Sequence, residues 1–282
     1  KISNMSKVLA AIGSPHTSSG PTLIGIAEVE NRAVLEDLID QPELKNLSYN
    51  FIHYDSPDIR GIDVALLYKE GLFRPVDHDV HEVRIWDEKG VRLYTRDILR
   101  VSGYVGNLLI HVIVNHWPSR RGGTKKSNYK REKAAFVCRQ IVDQLLKENP
   151  NANIIVMGDF NDDPLNSSLK EVLMTKGDPN EFDQTELFNP AENLFTRGLN
   201  TLVYRDQLNF FDQIILSDSF VNDSLKLDAL TFVGAGVFSP SYLTTSRGRF
   251  KGYPYRSFDY SGFTGGYSDH YPVFIYLAAI KP

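Results

Sequence analysis

Five strand-like segments, residues 49–53, 63–68, 80–86, 94–101 and 107–115, follow one another with no helical stretch between them. Connections this short join strands that run antiparallel, whereas a parallel crossover needs a dozen or more residues, usually a helix. This half of the chain therefore argues against a doubly wound parallel sheet. Helical spacing lies on either side of the run. Ile2, Met5, Val8, Leu9 and Ile12 share one side of a helix predicted over 1–12, and Val34, Leu35 and Leu38 do so over 31–39. The longest helix is predicted over 128–147, where Ala134, Val137, Cys138, Ile141, Val142 and Leu145 form an apolar stripe and Ser127 serves as N-cap. Apolar runs at 23–27, 153–157, Asp212–Leu216, 224–232 and 272–277 complete the strands. No repeat, low-complexity tract or linker-like break divides the sequence. The expected fold class is α/β: two packed, mixed but mostly antiparallel sheets flanked by helices, in a single domain over 1–282.

Composition sets outer limits. With 42% apolar residues the chain has material for a full core. A net charge of −4 argues against coating nucleic acid by bulk electrostatics, yet a local basic groove is compatible with it. Cys138 is the only cysteine, so no intrachain disulfide and no cysteine-based zinc site can form. No apolar stretch reaches the ~18 residues that span a membrane. No signal peptide is visible, since the chain opens at Lys1 on a helical pattern; an export signal removed upstream would leave the same picture, and the compartment stays open.

Several side chains stand where chemistry needs them, each beside a plainer alternative. The strand at 153–157 runs into Gly158-Asp159-Phe160-Asn161, which puts Asp159 and Asn161 on one side if the chain stays extended. Asp159 can hold or deprotonate a water, and Asn161 offers both a donor and an acceptor; an Asx-type turn is the alternative. Ser268, Asp269 and His270 precede the last apolar run and suit a divalent metal beside a phosphate, or are simply a surface pair. Glu28, at the exit of a buried strand, is a good ligand for a hard cation, whereas Glu30 is read as a helix cap. His116 ends a strand and leads into Trp117-Pro118-Ser119-Arg120-Arg121, where imidazole and guanidinium groups can neutralise phosphate charge, or form a solvated basic loop. Asp212 opens an apolar strand, needs a partner, and has an obvious one in His270.

Taken in order, Glu28 in Ile-Ala-Glu-Val, Gly61-Ile-Asp63-Val-Ala, Asn115-His116-Trp-Pro-Ser, Gly158-Asp159-Phe-Asn161, Asp212-Gln-Ile-Ile and Ser268-Asp269-His270-Tyr-Pro-Val form a series that resembles the endonuclease/exonuclease/phosphatase superfamily. The match runs from about Ser6 to Leu277. The resemblance implies a four-layer α-β-β-α sandwich with its site at one edge of the sheets. It implies Glu28 as a Mg²⁺ ligand, with Mn²⁺ as a substitute, aided by Asp269 directly or through water. It implies Asp159 as the group that handles the attacking water and Asn161 as the one that holds the phosphate. His270, oriented by Asp212, contacts the phosphate, and His116 stabilises the transition state. Tyr129 and Arg131 stand where many members carry a phosphate-directed tyrosine or arginine. Members begin with a strand that ends in an asparagine beside the metal ligand. Here Asn4 lies in a helical pattern, so an upstream strand is expected to be absent from this sequence.

The expected activity is metal-dependent hydrolysis of a phosphodiester by in-line attack of water, with a nuclease first in line. A phosphatase or phospholipase C-type enzyme acting on an inositol phosphate or lipid headgroup is the alternative, and an inactive binding module is the reading from another class. The expected partner is a phosphate-ester substrate, nucleic acid among the candidates, and no protein partner is inferable. The stretch 234–266 lacks periodicity and interleaves Arg247, Arg249, Lys251 and Arg256 with Tyr253, Tyr255, Phe258, Tyr260 and Phe263, a pattern suited to phosphates and bases, to a lipid headgroup, or to an ordered lid.

Overall fold

The unbroken apolar runs are explained by strands covered on both faces. A computed structural model of the chain describes residues 1–13, 17, 20–181, 183–221 and 229–279. The principal strands are β1 (Leu23–Val29), β2 (Tyr49–His53), β3 (Asp63–Lys69), β4 (Arg74–His81), β5 (Ile98–Val105), β6 (Leu108–His116), β7 (Asn153–Asp159), β8 (Asp212–Leu216), β9 (Leu230–Val237) and β10 (Val273–Ala279). Two short strands, Thr175–Lys176 and Leu187–Phe188, join β8, β7, β6, β5 and β4, in that order, as one mixed seven-stranded sheet. The principal helices are α1 (Ile2–Ala11), α2 (Arg32–Ile39), α3 (Pro42–Lys45) and α4 (Thr124–Glu148).

Alternation along the strands assigns each side chain to a layer. Ile113 of β6 and Ile154 and Val156 of β7 face α4, together with Ala134, Cys138, Ile141 and Val142. Their neighbours Val112, Val114, Ile155 and Met157 point the other way, onto Val64, Leu66 and Tyr68 of β3 and onto Ile275 and Leu277 of β10. Ala65 and Leu67 of β3 then face Val8, Leu9, Leu35, Leu38 and Leu44 of α1, α2 and α3. Helix, sheet, sheet and helices therefore stack as four layers with three apolar seams. The second sheet layer is in two pieces among the described residues, β1-β3-β2 and the pair β9-β10. Cys138 is fully buried and its thiol is pushed up to about 12 by that burial, as its place in the apolar stripe suggested.

Several boundaries differ from the sequence expectation. The segment expected as one strand at 80–86 is divided: Val80 and His81 end β4, a mostly exposed edge strand that tolerates polar residues and Pro75, and Ile85–Trp86 pairs separately with Arg92–Leu93. Helix α4 begins at Thr124, with Gly123 at the N-cap, so Ser127 is not the cap; its hydroxyl donates back to the Gly123 carbonyl at 2.8 Å. Asn31, not Glu30, caps α2, accepting from the Val34 amide at 3.1 Å. The expected strand 224–232 is found as β9 from Leu230 onward; its residues 224–228 lie outside the described ones. The stretch 234–266 is ordered by backbone bonds such as Tyr255 N to Leu243 O at 2.7 Å, and Tyr253 Oη donates to Asp206 at 2.6 Å.

Candidate active site

Strand register builds the site. β6 and β7 are parallel with His116 beside Asp159, and β8 is antiparallel to β7 with Asp212 beside Asp159. Three strand ends thus set His116, Asp159 and Asp212 in one row at the edge of the seven-stranded sheet. Gly158 makes the row possible: its φ is 139°, and a Cβ there would lie 1.9 Å from the Asn115 carbonyl oxygen on β6. His270, just ahead of β10, closes the row, with Nδ1 2.7 Å from Asp212 Oδ2.

Ligand atoms of Asp159, Asp212 and His270 all lie within 4.8 Å of one another. Their charges are interdependent. Burial opposes the charged imidazole of His270, but Asp212, Asp159 and Asp269 outweigh it and push it up to about 10. Burial raises Asp159 and Asp212 adds to this, while His270 pulls the other way; the carboxyl ends up raised, at about 6. His116 is held well below its ordinary value by burial and by the charges of Arg96, Arg60 and His270. It is therefore a neutral imidazole near pH 7, 3.5 Å from Asp159, able to donate or accept a hydrogen bond but not to supply the positive charge expected of it. Its Nδ1 is buried with no partner among the described residues.

Asn161 adopts φ 50° and is locked within the turn. Its amide nitrogen donates to the Trp117 carbonyl at 2.9 Å and to Asp159 Oδ2 at 3.3 Å, and its backbone N–H donates to Asp159 Oδ1 at 2.8 Å. Its donors are thus spent on orienting Asp159, and only its Oδ1 is left for a ligand.

The expected metal ligands sit apart from this cluster. Glu28 bulges out of β1 with φ 61°, is exposed, and faces Arg60 at 3.6 Å. Asp269 is exposed and faces Arg256 at 3.6 Å. Among the described residues neither carboxylate is held by a short bond, and each faces one guanidinium. Exposed carboxylate oxygens of this kind are the donor type that a hard divalent cation such as Mg²⁺ or Mn²⁺ takes.

The basic residues divide. Arg120 is committed to the protein: it donates to the Asn161 carbonyl, Asp162, Asp163 and Asn166 and stacks on Phe211. Arg131 is buried and pairs with Asp162 at 2.8 Å. Both were expected to reach a phosphate, and both instead neutralise Asp162, which is itself fully buried. Tyr129 is exposed on α4, and its hydroxyl is raised first by partial burial and then by the charges of Asp87 and Glu88. Arg121 is exposed and makes no recorded pair among the described residues.

Four residues that the sequence did not single out belong to the site's frame. Buried Arg96 donates to the backbone carbonyls of His116 and Trp117 and pairs with Asp58 at 2.9 Å. Asp58 in turn meets Arg60 at 3.4 Å, and Asp162 anchors the turn after Asn161. Asp58 and Arg60 lie just ahead of the Gly61-Ile-Asp63 phrase, a signal within reach. Nothing in sequence marks Arg96 or Asp162. Asp63 itself is structural, bonded to Ser56 at 2.6 Å and His53 at 3.0 Å.

The model of the Endonuclease/Exonuclease/phosphatase family matches residues 1–279. No curated protein matches the sequence. Among solved structures, D. rerio TDP2 complexed with a single-strand DNA product superposes with a TM-score of 0.60 at 14% identity, covering 99% of this chain and 93% of that one. The human Nocturnin catalytic domain with a bound sulfate anion gives 0.56 at 17% identity, with 91% and 82% covered. A Bacteroides thetaiotaomicron mannosyl-6-phosphatase gives 0.57 at 17% identity, with 98% and 91% covered. These likenesses establish the shared fold.

Proposed function

The chain belongs to the endonuclease/exonuclease/phosphatase family, and from that premise we propose that it hydrolyses a phosphate ester with a divalent cation, Mg²⁺ or Mn²⁺, and an activated water. The observation that carries this reading is the row of Asp159, Asp212 and His270, whose ligand atoms lie within 4.8 Å of one another. Asp212 holds His270 Nδ1, leaving Nε2 of a charged imidazole to donate to a phosphoryl oxygen. Asp159, with its raised proton affinity, is suited to take the proton of the attacking water. Asn161 positions Asp159, and neutral His116 donates or accepts at the same centre. Glu28 and Asp269 would hold the cation, which offsets charge on the phosphoryl oxygens when bound.

The favoured substrate is a phosphodiester, which makes a nuclease the leading form of this reading. Arg247, Arg249, Lys251 and Arg256 are exposed beside exposed Phe250, Phe258, Tyr260 and Phe263, and Arg256 reaches Asp269 at the metal half of the site. Cations with aromatic faces grip a strand by phosphate contact and base stacking. One observation favours the phosphatase or phospholipase C-type alternative: Arg120 is withdrawn into Asp162 and Asp163, so fewer cations remain for a long polyanion. The fold accommodates either, since its solved examples include a TDP2 with a single-strand DNA product and a mannosyl-6-phosphatase. A Mg²⁺-dependent panel of plasmid DNA, single-stranded RNA, bis-p-nitrophenyl phosphate, inositol phosphates, a sugar phosphate and sphingomyelin decides. Release of product from at least one ester is expected; uniform inactivity with Mg²⁺ and Mn²⁺ would sink the reading in favour of a binding module.

A further inference from the structure

Arg60 differs from the arginines built into the site's frame. Arg96, Arg120 and Arg131 each make short bonds and are fixed. The guanidinium of Arg60 makes no hydrogen bond among the described residues; it stands 3.6 Å from Glu28 and 3.4 Å from Asp58, with its side chain 46% exposed. Its backbone, by contrast, is anchored: the Arg60 amide donates to Asp58 Oδ1 at 2.9 Å, and the Gly61 amide to the Asp58 carbonyl at 2.9 Å. Asp58 is already committed through Oδ2 to buried Arg96, which grips the His116 and Trp117 carbonyls. The stem of Arg60 is thus tied to the frame that holds the catalytic row, while its charged end is loose and close enough to depress His116.

We propose that Arg60 is a transferable counter-charge, neutralising Glu28 and moving onto a substrate phosphate oxygen when a divalent cation takes Glu28. This rests on the reading of Glu28 as a metal ligand. The chemistry is that of exchange. A cation arriving at an exposed carboxylate displaces a weak, long ion pair, and the released planar fork matches the oxygens of a phosphate.

Two titrations test this on the whole protein, with Mn²⁺ alone and then with inorganic phosphate in saturating Mn²⁺. Arg60→Gln is expected to bind Mn²⁺ about two- to fivefold more tightly, because a competing charge is gone. It is expected to bind phosphate about tenfold more weakly, because a charge-assisted donor is lost. Arg60→Lys keeps the charge without the fork, so Mn²⁺ affinity should stay near wild type and phosphate affinity should fall between the two. A purely structural Arg60 would weaken both affinities together, and that result, or no change in either, overturns the proposal. If the wild-type protein binds no Mn²⁺, the proposal falls together with the metal reading. If it hydrolyses an ester while Arg60→Gln leaves both affinities unmoved, only the role of Arg60 falls.

Discussion

Charge at the site is set by neighbours, and the same holds for side chains away from it. Arg120 and Arg131 illustrate why cations were hard to place from sequence. Both stand in a basic segment that suggested phosphate contacts, yet their partner Asp162 is buried in the turn after Asn161, about thirty to forty positions away, and no local pattern announces it. Asp159, Asp212 and His270 were legible because each ends or opens an apolar strand. Asp97 was not, having no motif around it. Its carboxyl is pushed up to about 6 by burial and by Glu82 and Asp63, and its Oδ1 lacks a partner among the described residues. The folded state therefore holds this proton more tightly than the unfolded chain. Stability from this group is fully present below about pH 4 and is lost as pH rises to about 6. Asp97→Asn removes the lost part. In urea unfolding at pH 7.5 the variant should gain about 1 kcal/mol, a figure discounted for partial exposure, and at pH 4 it should gain almost nothing. Equal effects at the two pH values would contradict this origin.

At the scale of elements, strands buried on both faces were easiest to find, because an apolar run is all that β6 and β7 require. The polar edge strand β4 was hidden for the converse reason: one face and one edge meet water, so its residues carry no apolar signature. The start of α4 was hidden too, since its first turn, Thr124-Lys125-Lys126, contributes nothing to the stripe. The junction between β6 and β7 is where element geometry bears on chemistry. Gly158→Ala would force a methyl group to within 1.9 Å of the Asn115 carbonyl oxygen at a φ of 139°. Overpacking and backbone strain together should cost roughly 3 kcal/mol, read as a lowered urea midpoint, and should displace Asp159. A loss under about 0.5 kcal/mol would mean that the strand ends are looser than the register indicates.

For the molecule as a whole, the layered architecture was legible because the alternation between helical and strand periods survives along the entire chain. The Asp212–His270 contact was legible although 58 residues separate the two, but the way the frame beneath it converges was not, since Arg96 meets the His116 carbonyl 20 residues away and Asp58 38 residues away. No described helix is long and apolar enough to cross a membrane. If a cation binds the folded site alone, Mn²⁺ at about a hundred times its dissociation constant should stabilise the protein by about 2.7 kcal/mol. A rise in melting temperature in the wild type that is absent from Glu28→Gln is the expected result, and an equal rise in both would place the ion elsewhere.

The most direct measurement is the rate of phosphate-ester hydrolysis by wild type and by Asp159→Asn, each with Mg²⁺ and with excess chelator, on the most active substrate found. The wild-type rate should vanish with chelator, and Asp159→Asn should fall by ~10²–10⁴-fold with its fold intact. Full turnover by Asp159→Asn, or wild-type turnover indifferent to the chelator, would contradict a hydrolase centred on the row of Asp159, Asp212 and His270.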